Sequence, residues 1–213
     1  MLKVNHISKK IGKSTILDDI TLTVESGNIY GFQGRNGSGK TMLFRAMAGL
    51  INLDRGEVTY NGKKVGENHI LQDLGLILEN PAFLSGLSGI DNLAMIASIR
   101  KIADQKRLEE VLRLVGLEEE ANKKYGKYSL GMKAKLALAN ALMEDPQVLM
   151  LDEPTNGIDE QGIEDLFEIL KVERDKGKLI LIASHEREFL EGISDTIFYM
   201  NKGQVIDVKN FGR

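Results

Sequence analysis

The run Gly34-Arg35-Asn36-Gly37-Ser38-Gly39-Lys40-Thr41 constrains this chain more than any other, because it fits G-x-x-x-x-G-K-[ST] at every position. Glycines at this spacing let successive backbone N–H groups turn inward, and a helix starting just behind them aims its positive end at the same place. Both features suit phosphate. Lys40 has the reach to meet β- and γ-phosphates, and the Thr41 hydroxyl can ligate Mg²⁺. The flanks are those such a loop requires. Asn28-Ile29-Tyr30-Gly31-Phe32 reads as a strand leading in, and Met42, Leu43, Ala46, Met47 and Leu50 recur at helical spacing behind it. The phosphate-binding set is therefore Gly34, Asn36, Gly37, Ser38, Gly39, Lys40, Thr41 and Met42.

A second constellation supplies what the loop lacks. Val148-Leu149-Met150-Leu151 runs straight into Asp152-Glu153, with Pro154 stopping the strand. A buried parallel strand delivers both acids to the carboxyl edge of its sheet, where ligands bind in open α/β folds. Asp152 is placed to hold Mg²⁺ and Glu153 to polarise an attacking water.

The rest of the chain reads as α/β. Ile16 to Val24 alternates in part, and Gly56 to Tyr60 followed by Asn61-Gly62 resembles a strand entering a hairpin turn. From Gly89 to Met143 the spacing is helical. Val148–Leu151, Ile163–Leu170, Leu179–Ala183 and Ile197–Met200 then alternate strand and helix. Apolar strands without alternation suit a parallel sheet covered on both faces. The expectation is one domain over residues 1–213: a mostly parallel sheet, a β-rich layer at the N-terminus, and helices inserted over roughly 82–143.

Charge narrows the function. The net charge is −3, with lysines and arginines spread along the chain, so no concentrated basic surface for nucleic acid is expected. The lysines at 123, 124, 127, 133 and 135 read as a solvated face. There are no cysteines, which removes disulfide and thiolate-metal chemistry and suits a reducing compartment. No apolar run approaches the ~20 residues needed to cross a bilayer, and Met1 to His6 lacks the apolar core of a secretory signal. The chain is expected to stay where it is made and to serve a membrane only by docking to a partner.

Taken in order, these motifs resemble those of ATP-binding cassette ATPases, from Leu2 to about Val208. Tyr128-Ser129-Leu130-Gly131-Met132 stands where that family has its signature, Pro154 to Asp159 where it has the loop after the acidic strand, and His185 where it has its switch histidine. The resemblance implies a P-loop nucleotide-hydrolase fold with an inserted helical subdomain, using ATP and Mg²⁺. It implies a composite site: two cassettes face head to tail, and each ATP lies between the loop of one and the signature of the other. Ser129 and the Gly131 N–H would then contact the γ-phosphate of the opposite chain, Asp159 would link the two sites, and His185 would hold the γ-phosphate and water. The residues leave other roles open, since Ser129 and Asp159 also stand where helix N-caps would.

Three departures from the family pattern stand out. Ile11, before Gly12, takes the place of an aromatic residue that stacks on adenine, so base discrimination is expected to be loose and GTP hydrolysis worth testing. Glu79, in Leu76-Ile77-Leu78-Glu79-Asn80-Pro81, replaces a glutamine that senses Mg²⁺ and the membrane partner; a carboxylate can still ligate the ion. Leu130 replaces a glycine, as in the branch that exports drugs, antimicrobial peptides or polysaccharides. The resemblance thus implies an ATPase subunit that forms an ATP-dependent dimer with itself or a second cassette. It would work on the inner face of the cell membrane with a separate permease, whose groove would lie within about Leu74 to Arg113, near Asn80, Pro81, Phe83 and Leu84. A soluble cassette acting on ribosomes or DNA, and a module that binds ATP without hydrolysing it, are the competing classes.

Overall fold

The computed structural model describes residues 1–66, 69–78 and 82–212. The first part of the chain forms β1 (Leu2–Ile11), β2 (Ser14–Val24), β3 (Asn28–Gln33), α1 (Lys40–Met47), β4 (Arg55–Tyr60), β5 (Lys63–Val65) and β6 (Leu74–Ile77). Helices α2 (Gly89–Arg100), α3 (Gln105–Leu114) and α4 (Leu130–Leu142) follow, with a single 3-10 turn at Tyr125–Lys127. The last part alternates β7 (Val148–Asp152), α5 (Glu160–Asp175), β8 (Leu179–Ser184), α6 (Arg187–Ile193), β9 (Thr196–Asn201) and β10 (Gln204–Asn210).

Two sheets result. An antiparallel one has the order β2-β1-β4-β5, and its β4–β5 turn at Asn61-Gly62 has both residues at positive φ, the geometry that suits a two-residue hairpin. The other has the order β10-β9-β3-β8-β7-β6 and is parallel except for β10, which pairs antiparallel with β9. Every residue of β7 and β8 is buried, as their unbroken apolar runs require of strands covered on both faces. Alternate residues serve different cores. Val148, Met150, Leu179 and Leu181 pack with α1 and the antiparallel sheet, whereas Leu149, Leu151, Ile180 and Ile182 pack with the helices of the opposite face. This is the expected α/β architecture, with the N-terminal β-layer and the helices between β6 and β7.

Some details differ from expectation. Helix α1 stops at Met47, and Leu50 lies beyond it: the Leu50 N–H donates to the Arg45 carbonyl at 2.8 Å, closing the helix end. Strand β10 and helix α6 went unrecognised in the sequence. β10 is largely exposed and interrupted by a bulge between Val205 and Asp207, so it lacks an apolar alternation.

A buried ionic cluster lies at the amino edge of the parallel sheet. Lys178, 2% exposed, follows the end of α5 and pairs with Glu173, also 2% exposed, and with Asp145 at 2.5 Å; Lys176 reaches Glu173 at 2.6 Å. Burial pushes the Glu173 and Asp145 carboxyls up, but hydrogen bonds and charge from Lys176 and Lys178 outweigh it and hold both below their ordinary values. The cluster joins the segment after α4 to α5 and β8. Removing one partner leaves an uncompensated buried charge. Lys178→Met is therefore expected to lower stability by about 3–5 kcal/mol near neutral pH, read by denaturant unfolding. Both folded pKa values are depressed, so the carboxylates' contribution is complete above the unfolded carboxylate range near pH ~4. It is lost as pH falls through the folded values, and the gap between wild type and variant should shrink on acidification.

Candidate functional site

Register creates the site. In the parallel sheet Gln33 of β3 lies opposite Ser184 of β8, and Asp152 of β7 lies opposite Ala183. Three neighbouring strands therefore end together, releasing the Gly34–Thr41 loop, the Asp152-Glu153 pair and Ser184-His185 at one edge. The loop then turns into α1. Gly39 sits at φ +106°, which L side chains rarely adopt, and a Cβ there would stand 3.0 Å from the Ile16 carbonyl. Glycine is the residue that fits.

The charged groups interlock. Lys40 is 6% exposed; its ammonium donates to the Gly34 carbonyl at 2.6 Å and lies 3.5 Å from Glu153 Oε1. The Thr41 hydroxyl donates to Asp152 Oδ2. Glu153 has φ +49°, and its N–H donates to the Ala183 carbonyl at 2.8 Å. This backbone turn swings the carboxylate across the end of β8. There Oε2 accepts from the Ser184 hydroxyl at 3.1 Å and the His185 N–H at 3.4 Å, and lies 2.8 Å from His185 Nδ1. Oε1 has no hydrogen-bond partner and is buried, as is the Ser38 hydroxyl.

Around these groups lies a cavity of about 360 Å³ walled by Ile16, Asn36, Gly37, Ser38, Gly39, Lys40, Thr41, Met42, Asp152 and Glu153. A second, of about 740 Å³, shares Asn36, Gly37 and Ser38 and adds Arg35, His185, Asn201 and Lys202. The donor set fits a phosphate ester with a hard divalent cation. Loop residues Asn36 to Lys40 line one wall, and the Thr41 hydroxyl and Asp152 carboxylate sit side by side as two candidate oxygen ligands. Among the described residues no cluster of three or more His, Cys, Asp or Glu could hold a metal.

The structure does not bring all the sequence candidates together. Ser129 caps α4, accepting from the Met132 N–H at 3.2 Å, and Asp159 caps α5, accepting from the Gly162 N–H at 3.0 Å. They meet Gly131 around a separate cavity of about 540 Å³ that shares no residue with the phosphate-loop cavities. Ile11 stands 55% exposed at the end of β1, outside the cavity walls, and Ile16 supplies the apolar wall instead. Glu79, Asn80 and Pro81 lie outside the described residues. Phe83, expected as an exposed aromatic of a partner groove, is buried against Tyr125 with ring centres 5.2 Å apart, whereas Leu84 is exposed. Tyr125 in turn stacks at a tilt on Tyr128, beside Ser129. A shallower groove of about 270 Å³ does lie between β6, α2 and α4, lined by Leu74, Leu76, Ile96, Ile99, Arg100 and Pro146 among others. Sequence reasoning missed Ser184, whose role follows from strand register, and Ile16, whose apolar character alone did not separate it from core residues of β2.

Comparison with known proteins places the chain in a family. The family model described as "ABC transporter" matches residues 17–156. The bacitracin transport ATP-binding protein BcrA of Enterococcus faecalis is 38% identical over 99% of this chain and 69% of its own length. The lantibiotic transport ATP-binding protein SrtF of Streptococcus pyogenes is 32% identical over 99% of this chain and 91% of its own length. Among solved structures, the ATP-binding cassette MJ0796, a dimer in a post-hydrolysis state bound to ADP and Pi, shares the fold. Its TM-score is 0.89 at 23% identity, over 100% of this chain and 99% of that one.

The Ser184 hydroxyl is one of the groups that hold Glu153 Oε2, and a hydrogen bond to a charged group is worth about 1.5–3 kcal/mol. Ser184→Ala is expected to slow ATP turnover roughly tenfold or more, with KM for ATP little changed. Steady-state kinetics would read both.

Proposed function

The chain belongs to the ABC transporter family, and from that premise we propose that it is the ATP-hydrolysing subunit of an exporter, driving a separate permease. The observation that carries this reading is the convergence of Lys40, Asp152, Glu153 and His185 at one sheet edge. Phosphate-binding relatives need only the loop; hydrolysis also needs a positioned acceptor for the proton of water. Glu153 is that acceptor. Ser184 and His185 hold its Oε2, while Oε1 lies next to Lys40, covered until that lysine moves to the phosphates.

ATP is the substrate, with its phosphates against the N–H groups of Gly37, Ser38, Gly39, Lys40 and Thr41. Lys40 gives up its present partners and moves onto the β- and γ-phosphates. Thr41 and Asp152 would hold Mg²⁺, which when bound neutralises charge on the phosphate oxygens. Glu79 is the further oxygen donor proposed for it. Glu153 accepts a proton as the water oxygen bonds to the γ-phosphorus and the bond to the β–γ bridging oxygen breaks, giving ADP and phosphate. His185 keeps Glu153 aimed throughout. Ile16, and Ile11 nearby at the end of β1, offer the base an aliphatic surface.

Ser129, Gly131 and Asp159 belong to the opposite site. Their separation from the phosphate loop within one chain, and the N-terminal end of α4 beneath Ser129, favour a head-to-tail pair of chains in which each α4 points at the other's γ-phosphate. Opening and closing of that pair would move a permease seated on the groove between β6, α2 and α4, where Ile99 is exposed. No helix among the described residues is long and apolar enough to cross a membrane, so attachment to the inner face of the cell membrane would run through that partner. The bacitracin and lantibiotic transport proteins among its relatives suggest a cargo of the antimicrobial-peptide class.

The deciding experiment is the mass of Glu153→Gln by light scattering, with and without MgATP. Loss of the proton acceptor should trap the bound pair, so a shift from monomer to dimer only with ATP is expected. A monomer in both conditions, with ATP binding measured separately, would refute the self-paired composite site.

A further inference from the structure

Leu130 and Gly157 meet where two parts of the chain adjoin. Leu130 opens α4, directly after Ser129; Gly157 lies in the loop between β7 and α5. Gly157 has φ +80°, and a Cβ built on it would overlap the Leu130 side chain. Beside it, a Cβ on Gly131 would stand only 3.1 Å from the Gly157 carbonyl oxygen. The leucine thus lies over the bare α-carbon of Gly157, and the two backbones approach more closely than side chains at 131 and 157 would allow. The outer part of Leu130 is exposed over the cavity that also holds Ser129, Gly131 and Asp159. Lys135 and Asp165, 4.0 Å apart, also join α4 to α5, but that pair is partly exposed and holds little.

We infer that Leu130 is a positioning residue: seated on Gly157, it locks the Ser129–Gly131 turn to the Pro154–Asp159 loop, so that both meet the opposite chain's nucleotide as one surface. This rests on the composite-site reading. Gly131 and Asp159 come from different segments, and each is short and set on the end of a helix. Without a side chain at 130, the leucine's apolar contact with Gly157 is gone, and each turn can shift while its own helix stays in place. With leucine there, a displacement of either turn carries the other. The consequence is kinetic: Gly131 reaches the γ-phosphate as Asp159 reaches the facing chain, so assembly of the site depends on one docking event rather than two.

The experiment reads the lock in the nucleotide-free chain and its effect in the assembled one. The Ile158 amide bonds to the Thr155 carbonyl at 3.1 Å within the loop. In Leu130→Gly its hydrogen exchange is expected to speed up about tenfold while the global unfolding midpoint hardly moves. The same variant should lower kcat about fivefold or more with ATP affinity of the monomer unchanged. In the Glu153→Gln background it should raise the ATP concentration for half-maximal dimerisation several-fold. Leu130→Met, of similar reach and volume, should restore all three. Unchanged exchange at Ile158 in Leu130→Gly would overturn the proposal, as would a methionine variant as impaired as the glycine one. If Glu153→Gln with Leu130 intact binds ATP but stays monomeric, the composite-site reading has failed, and exchange at Ile158 alone then decides whether the lock exists.

Discussion

Everything chemical in this molecule depends on the in-register pairing of three parallel strands. β3, β8 and β7 lie side by side, and their last residues fall level: Gln33 beside Ser184, Ala183 beside Asp152. Because the strands are buried on both faces, a register slip of one residue would exchange side chains between two differently shaped cores and draw the end carboxylate into the sheet. The hydrophobic core therefore sets the position of the reactive groups to within a residue. Catalytic geometry is inherited from packing, and the side chains at the edge need only short-range hydrogen bonds to finish the job.

The charges are divided between the two ends of the same strands. At the carboxyl edge Lys40, Asp152 and Glu153 are partly paired and can exchange partners, as a site that admits a tetra-anionic substrate must. At the amino edge Lys178 and Glu173 are almost fully buried and committed to one another. The second cluster ties α5, β8 and the segment after α4 into one base. The helices between β6 and β7 share one apolar core with β7, β8 and α5, so the cluster holds them at one end and Leu130 on Gly157 meets the rest of the molecule at the other.

Much of this is legible in the sequence, for identifiable reasons. The phosphate loop is legible because its chemistry depends on contiguous residues, and the acid pair because an apolar run of strand length points to where it ends. Strands β7 and β8 are legible from composition, since nothing else buries Leu179 to Ala183 whole. What stays hidden depends on partners distant in sequence. Ser184 is one serine among many until register places it on Glu153, and Lys178 in Lys176-Gly177-Lys178 looks like a solvated run until Asp145 and Glu173 close on it. Phe83 reads as an interface residue next to Leu84, but Tyr125, more than forty residues on, covers it. β10 has no apolar alternation because it lies at a sheet edge, half in water.

The left-handed backbone at Glu153 sets stability against activity at a single position. A non-glycine residue in that region carries a cost of about 1–2 kcal/mol, and here it is what turns the carboxylate across the end of β8 toward Ser184 and His185. Glycine would relieve that cost and remove the carboxylate that Ser184 and His185 hold. A library screened only for heat resistance would thus drift toward glycine at 153, easing the backbone while stripping the end of β8 of its charge.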